Sequence, residues 1–137
     1  MELDRLNSSS FSSHPVTHLR LKNLSGIAQI SEDHVSRIGL GLSLRRGPVD
    51  EGWVPRESEL EQGIAGAFSG KQMKGKTLFK EELELWVALV LRVQNPSSYS
   101  DWRRVMVAHW ERGVEELSEI SSREGDWVRT LQACLQG

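Results

Sequence analysis

The residues with the most chemistry in them lie between Gly70 and Lys80, in the run GKQMKGKTLFK. It holds four of the chain's five lysines, Lys71, Lys74, Lys76 and Lys80. Ammonium groups this close suit phosphate of any kind, the backbone of a nucleic acid included. The patch is local: residues 57–70 carry −3, residues 71–80 carry +4 and residues 81–94 carry −2. Phe79, next to Lys80, is the run's one aromatic residue and does not alternate with the lysines, so base stacking finds little support in the sequence.

Gly70, Gly75, Lys76 and Thr77 add a second possibility. Their spacing resembles the Walker A motif of the P-loop NTPases, over eight residues. In that motif glycines let backbone amides curl around phosphates, the lysine reaches the outer phosphates and the hydroxyl holds magnesium. The resemblance implies a nucleotide-binding loop, with a buried strand before it and a helix after it. An apolar helix pattern does follow Thr77. Residues 64–68, IAGAF, carry stronger helix than strand signals, and no apolar run ending in Asp follows Gln94.

The remaining reactive side chains have little company. His14, His18, His34 and His109 lack metal-ligand spacing, and Cys134 is a lone cysteine. Pairing Cys134 with His109 as nucleophile and base finds no support in their positions. No catalytic residue, metal or cofactor is therefore expected.

These residues need a scaffold, and 137 residues suffice for one domain. Hydrophobic residues make up 38% and charged residues 26%, which are globular values. A net charge of −2 is unlike that of a strongly basic nucleic-acid binder. Residues 1–15, with five serines between Ser8 and Ser13, read as a disordered arm ahead of a globular domain at 16–137. The N-terminus lacks the pattern of a secretory signal, and the longest apolar run is too short for a membrane span. A cytoplasmic protein with no membrane contact is the expectation.

The fold expected is α+β and predominantly helical, with about four helices and a short N-terminal antiparallel strand pair; an all-α fold is the alternative. The strands are read from alternation at residues 16–24 and 38–44. Helices are expected at about 56–68, at 78–94, from Ser100 or Asp101 to about Ser121, and after Asp126. Trp53 should pack back onto the core. Leu83–Val93, LELWVALVLRV, is the densest apolar stretch and is expected to organise that core as a buried helix. Trp102, Val105, Met106, Trp110, Val114, Leu117 and Ile120 form one helical stripe.

The function favoured by this reading is that of a small non-catalytic interaction or regulatory protein. It would act through a helical surface that binds a protein partner or a second copy. The first alternative is a nucleic-acid accessory protein using Lys71, Lys74, Lys76 and Lys80. The second is nucleotide binding at Gly70, Gly75, Lys76 and Thr77.

Overall fold

Eight helices and a two-stranded ribbon succeed one another along residues 3–136, which the computed structural model describes. In chain order they are α1 (Arg5–Ser8), β1 (Ser10–Ser12), α2 (Pro15–Ala28), α3 (Glu32–Arg46) and α4 (Glu59–Ala65). Then come β2 (Gln72–Lys74), α5 (Gly75–Phe79), α6 (Leu83–Leu91), α7 (Tyr99–Glu124) and α8 (Trp127–Gln136). The class is the mainly helical α+β one expected, with more and shorter helices.

Helix α7 is the axis. Ser98 starts it by accepting the Asp101 amide on its hydroxyl at 3.1 Å, satisfying one of the free donors of the first turn. Gly125 ends it in the left-handed conformation. All seven residues of the expected stripe are buried. Helix α3 lies against α7 at close range. A Cβ on Gly113 would overlap the carbonyl of Gly39, and one on Gly39 would press on the Val114 amide. The two backbones touch there, which only a pair of glycines permits.

The two strands expected at 16–24 and 38–44 are instead helices α2 and α3. In α2 the polar Thr17 and Arg20 are buried beside Val16, Leu19, Leu21 and Leu24, so the inward set has helical spacing. Pro15 stands at the first helical position, where its fixed φ helps and its missing N–H costs nothing. In α3 the misleading residues are Gly39 and Ser43, which look outward in an alternating pattern and in fact face α7, as does Ser36 just before the run. The Ser36 hydroxyl accepts the Trp110 indole N–H at 2.9 Å.

The strand pair that does form joins distant segments. Ser10, Phe11 and Ser12 pair antiparallel with Lys74, Met73 and Gln72. The serine-rich stretch thus carries α1 and β1. Leu6 and Phe11 are fully buried, and the Phe11 ring meets Phe79 edge to face at 5.7 Å. Two apolar anchors and three ladder partners offset the ordering entropy that the serines alone could not. The apolar core accordingly runs from Leu6 to Cys134.

The helix expected at 78–94 is two. Lys80 and Glu81 have φ of 49° and 65° and turn the chain between α5 and α6. Leu83, Trp86, Val87 and Val90 of α6 face inward, whereas Leu85 and Leu91 are each 51% exposed. Helix α6 therefore covers the core edge, and α7 organises the core. Around them, Ser58 and Glu61 cap α4 reciprocally, and Asp126 accepts the Arg129 amide at 2.8 Å to start α8.

Candidate nucleic-acid interface

The lysine run is held by the N-terminal arm. Beyond the ladder, the Ser13 amide donates to the Lys71 carbonyl at 2.8 Å, and the Lys71 amide donates to the Ser13 hydroxyl at 2.9 Å. The Gly75 amide donates to the Ser9 carbonyl at 2.9 Å. A Cβ on Gly70 would overlap the Ser13 carbonyl, and one on Gly75 the Leu6 carbonyl. Both glycines are explained by the close passage of this chain's own backbone.

The phosphate-loop geometry is absent as a result. The segment before Gly70 is helix α4 and a turn, where the motif requires a strand, and β2 pairs antiparallel with β1. The Lys71 and Gly75 amides already have partners. Thr77 lies inside the five-residue α5, its carbonyl accepting from Arg37 at 2.8 Å. Gly70, Gly75, Lys76 and Thr77 are close in sequence and build no cradle.

The lysines fare differently from one another. Lys71 is paired with Glu32, 3.2 Å from its Nζ, and so is largely neutralised. Lys74, Lys76 and Lys80 are exposed. Ser10 is the ladder partner of Lys74, so both side chains leave the same face of the ribbon.

Two arginines join them, and neither stands out as a candidate in the sequence. Arg103, in the second turn of α7, donates to the Ser10 carbonyl at 2.9 Å and lies 5.3 Å over the Phe11 ring. Arg5 of α1 stacks on the Tyr99 ring at 4.1 Å. The Tyr99 hydroxyl bonds Ser9, and that bond, with the charges of Arg103 and Arg5, holds its phenol below the usual range. Among the described residues, Lys74, Lys76, Lys80, Arg5 and Arg103 form no ion pair. Asp33, paired with Arg37 at 3.3 Å, and Glu32 bound this basic face on the α3 side; the exposed Glu81, Glu82 and Glu84 follow α5 in the chain.

A second polar constellation lies inside the protein. His109 Nδ1 is 2.9 Å from the Ser43 hydroxyl, and its Nε2 is 2.7 Å from the Gln94 side-chain oxygen. Because Gln94 Oε1 also accepts the Val49 amide, it is an acceptor, and His109 must carry its proton on Nε2. Ser43 then donates to Nδ1 and accepts from Arg112 Nε at 2.8 Å. Burial, with Arg112 nearby, pushes His109 down to about 4. Serine, histidine and amide in this order look nucleophilic by type. Ser43 and His109 are fully buried, however, and the network holds α3, α7 and residues 47–49 together. Cys134 takes no part in it; desolvation raises its thiol above the ordinary value.

Nowhere among the described residues do three His, Cys, Asp or Glu side chains converge as a metal site, and no helix is long and apolar enough to cross a membrane. No protein-family model matches the chain, and neither does any curated protein or solved structure.

Proposed function

We propose that this protein acts by binding, without catalysis, and that its ligand is the phosphate backbone of a nucleic acid. One observation carries the reading. Cations from three separate parts of the chain lie on or next to one small ribbon with no carboxylate partner among the described residues: Lys74 on β2, Lys76 and Lys80 directly after it, Arg5 in α1 directly before β1, and Arg103 bonded to the Ser10 carbonyl of β1. Keeping like charges together costs stability, and a polyanion relieves that cost. Tyr99 adds a partly exposed aromatic surface, whereas Phe79, the aromatic residue of the lysine run, is fully buried.

The test is the salt dependence of binding to a short duplex and to a single strand. Changing Lys74, Lys76 and Lys80 to Glu should abolish binding. Single changes should lower the slope of log K against log salt by about 1 for each phosphate no longer neutralised. Unaltered binding by the triple variant would remove this reading.

A protein-contact reading rests on a different surface. Leu89, Val93, Gly41 and Leu44, together with Arg45 and Arg92, line a hollow of about 380 Å³. It adjoins one of about 340 Å³ lined by Ile38, Leu42, Leu131 and Leu135. Leu135 is 83% exposed. This apolar strip across α6, α3 and α8 suits a second copy or a partner helix. Sedimentation of the wild type and of Leu135→Glu decides it. A concentration-independent monomer that captures no partner ends the reading.

A further inference from the structure

A cleft of about 380 Å³ opens beside the basic face, on the side of β1 away from β2. Its floor is one strip of α7, which places Arg103, Arg104, Ala108 and Glu111 along it. Ser12 of β1 forms one wall, and Trp53, with Glu51 at its side, comes from the loop between α3 and α4. The expectation that Trp53 packs onto the core is not met. It belongs to neither apolar cluster and stays partly exposed, held by a turn in which its amide donates to the Asp50 carbonyl at 3.1 Å.

Two features of this cleft lack an internal explanation. The first is an indole placed away from the core, beside two guanidinium groups. The second is Arg104. Its Nε and Nη2 both bond one oxygen of Asp101, at 2.9 and 2.8 Å, while its Nη1 is buried with no partner. A buried donor without an acceptor costs free energy and calls for an explanation, and the Arg104 side chain as a whole, 35% exposed, lines the cleft. The acids present do not supply the acceptor. One oxygen of Glu111 accepts the His14 amide at 2.6 Å and the Thr17 hydroxyl at 3.0 Å, and Glu51 is exposed.

A planar ring with an anionic or carbonyl oxygen attached meets both needs. We propose that this cleft receives one nucleotide of an unpaired strand, its base stacked on Trp53 and an oxygen acceptor presented to Arg104. Arg103 makes the connection to the rest of the strand. It lines the cleft and also touches Ser10, the ladder partner of Lys74. A strand lying along the lysines reaches the cleft through it. A paired base keeps both faces in its own stack and cannot enter, so the cleft favours single-stranded over duplex nucleic acid. This inference rests on the backbone-binding reading above and adds the kind of strand that is preferred.

The experiment compares a twelve-residue oligothymidylate, a blunt twelve-base-pair duplex and thymidine 5′-monophosphate. Affinity is read by anisotropy or calorimetry, and stacking by the fluorescence difference between the wild type and Trp53→Phe. The wild type should prefer the single strand. Trp53→Ala should lose about tenfold for the single strand, the worth of one stacked base, and nothing for the duplex. Trp53→Phe should retain most of the affinity while losing the indole quenching signal. Trp53 lies outside the core, so a thermal melt of Trp53→Ala should match the wild type.

Equal single-strand affinity of Trp53→Ala and wild type overturns the cleft and leaves the backbone reading standing. Thymidine monophosphate binding as tightly as the oligomer, and lost in Trp53→Ala, overturns the link to a strand. If neither the duplex nor the single strand binds, the backbone reading fails and this inference fails with it.

Discussion

Helices α6 and α7 invert what their composition suggests. Helix α6 is apolar almost throughout, and half the surface of Leu85 and Leu91 is left to solvent. Helix α7 carries Glu111, Glu115, His109 and Arg112, and it is the most thoroughly enclosed element of the fold. What α7 has is arrangement. Its apolar residues recur every three or four positions, and its buried histidine and glutamates have partners: Glu111 with Thr17 and the His14 amide, Glu115 with Arg20, His109 with Ser43 and Gln94. A helix apolar on all sides must have something on all sides, and α6 lies at an edge. Density of apolar residues in α6 thus goes with an edge position and half-exposed leucines, while periodicity marks α7 as the core.

This contrast can be broken in several places. The severest is Gly113→Val. The new side chain would overlap the Gly39 carbonyl, so α3 and α7 must separate; a loss of more than about 3 kcal/mol, read by urea unfolding, is expected. A wild-type midpoint would show that the backbones are not in contact. Leu117→Ala in α7 comes next. Leu117 is fully buried, and the cavity should cost about 3 kcal/mol.

His109 gives a pH test of the same helix. Its pKa in the folded protein is about 4, below its ordinary value of 6.5. The unfolded chain thus binds more protons between those values. The stability from neutral His109 is complete above pH 6.5 and is lost as pH falls toward 4, by about 3 kcal/mol at most. Urea midpoints measured from pH 7 to 4 should show a slope that His109→Asn reduces. An unchanged slope in that variant would mean that His109 does not set it. The smallest effect belongs to α6: Leu91→Ala should alter stability by less than about 0.5 kcal/mol, because half of that side chain already meets water. If Leu91→Ala and Leu117→Ala cost the same, the contrast between the two helices is wrong.

What can be read in the sequence follows the same division. The α7 stripe is legible because seven apolar residues repeat at helical spacing, enough to outweigh the small Gly113 on the same face. The α3 face is not, because its inward residues include Ser36, Gly39 and Ser43. A seam that needs close approach selects small residues, and small residues look like an outward face. The candidate interface is half legible. Lys74, Lys76 and Lys80 stand out as a run, whereas Arg5, Tyr99 and Arg103 reach them only through a ribbon whose strands are far apart in the chain. Phe11, alone between serines, is the one signal that the arm is anchored. Lys71 belongs to the run by sequence and to Glu32 by structure.

That ribbon also imposes an order on assembly. Its strands are separated by about sixty residues, and the entropy of closing so long a loop must be met before three ladder partners give anything back. The pairing therefore forms late. During synthesis β1 leaves the ribosome several seconds before β2 at about 5–20 residues per second. In that interval Leu6 and Phe11 are uncovered, and Arg5, Ser9 and Ser10 have nothing to hold. The ribbon and the cations beside it come together only when the two ends of this loop meet, so this is the last part of the molecule to mature and the first to be undone when the N-terminus is pulled away.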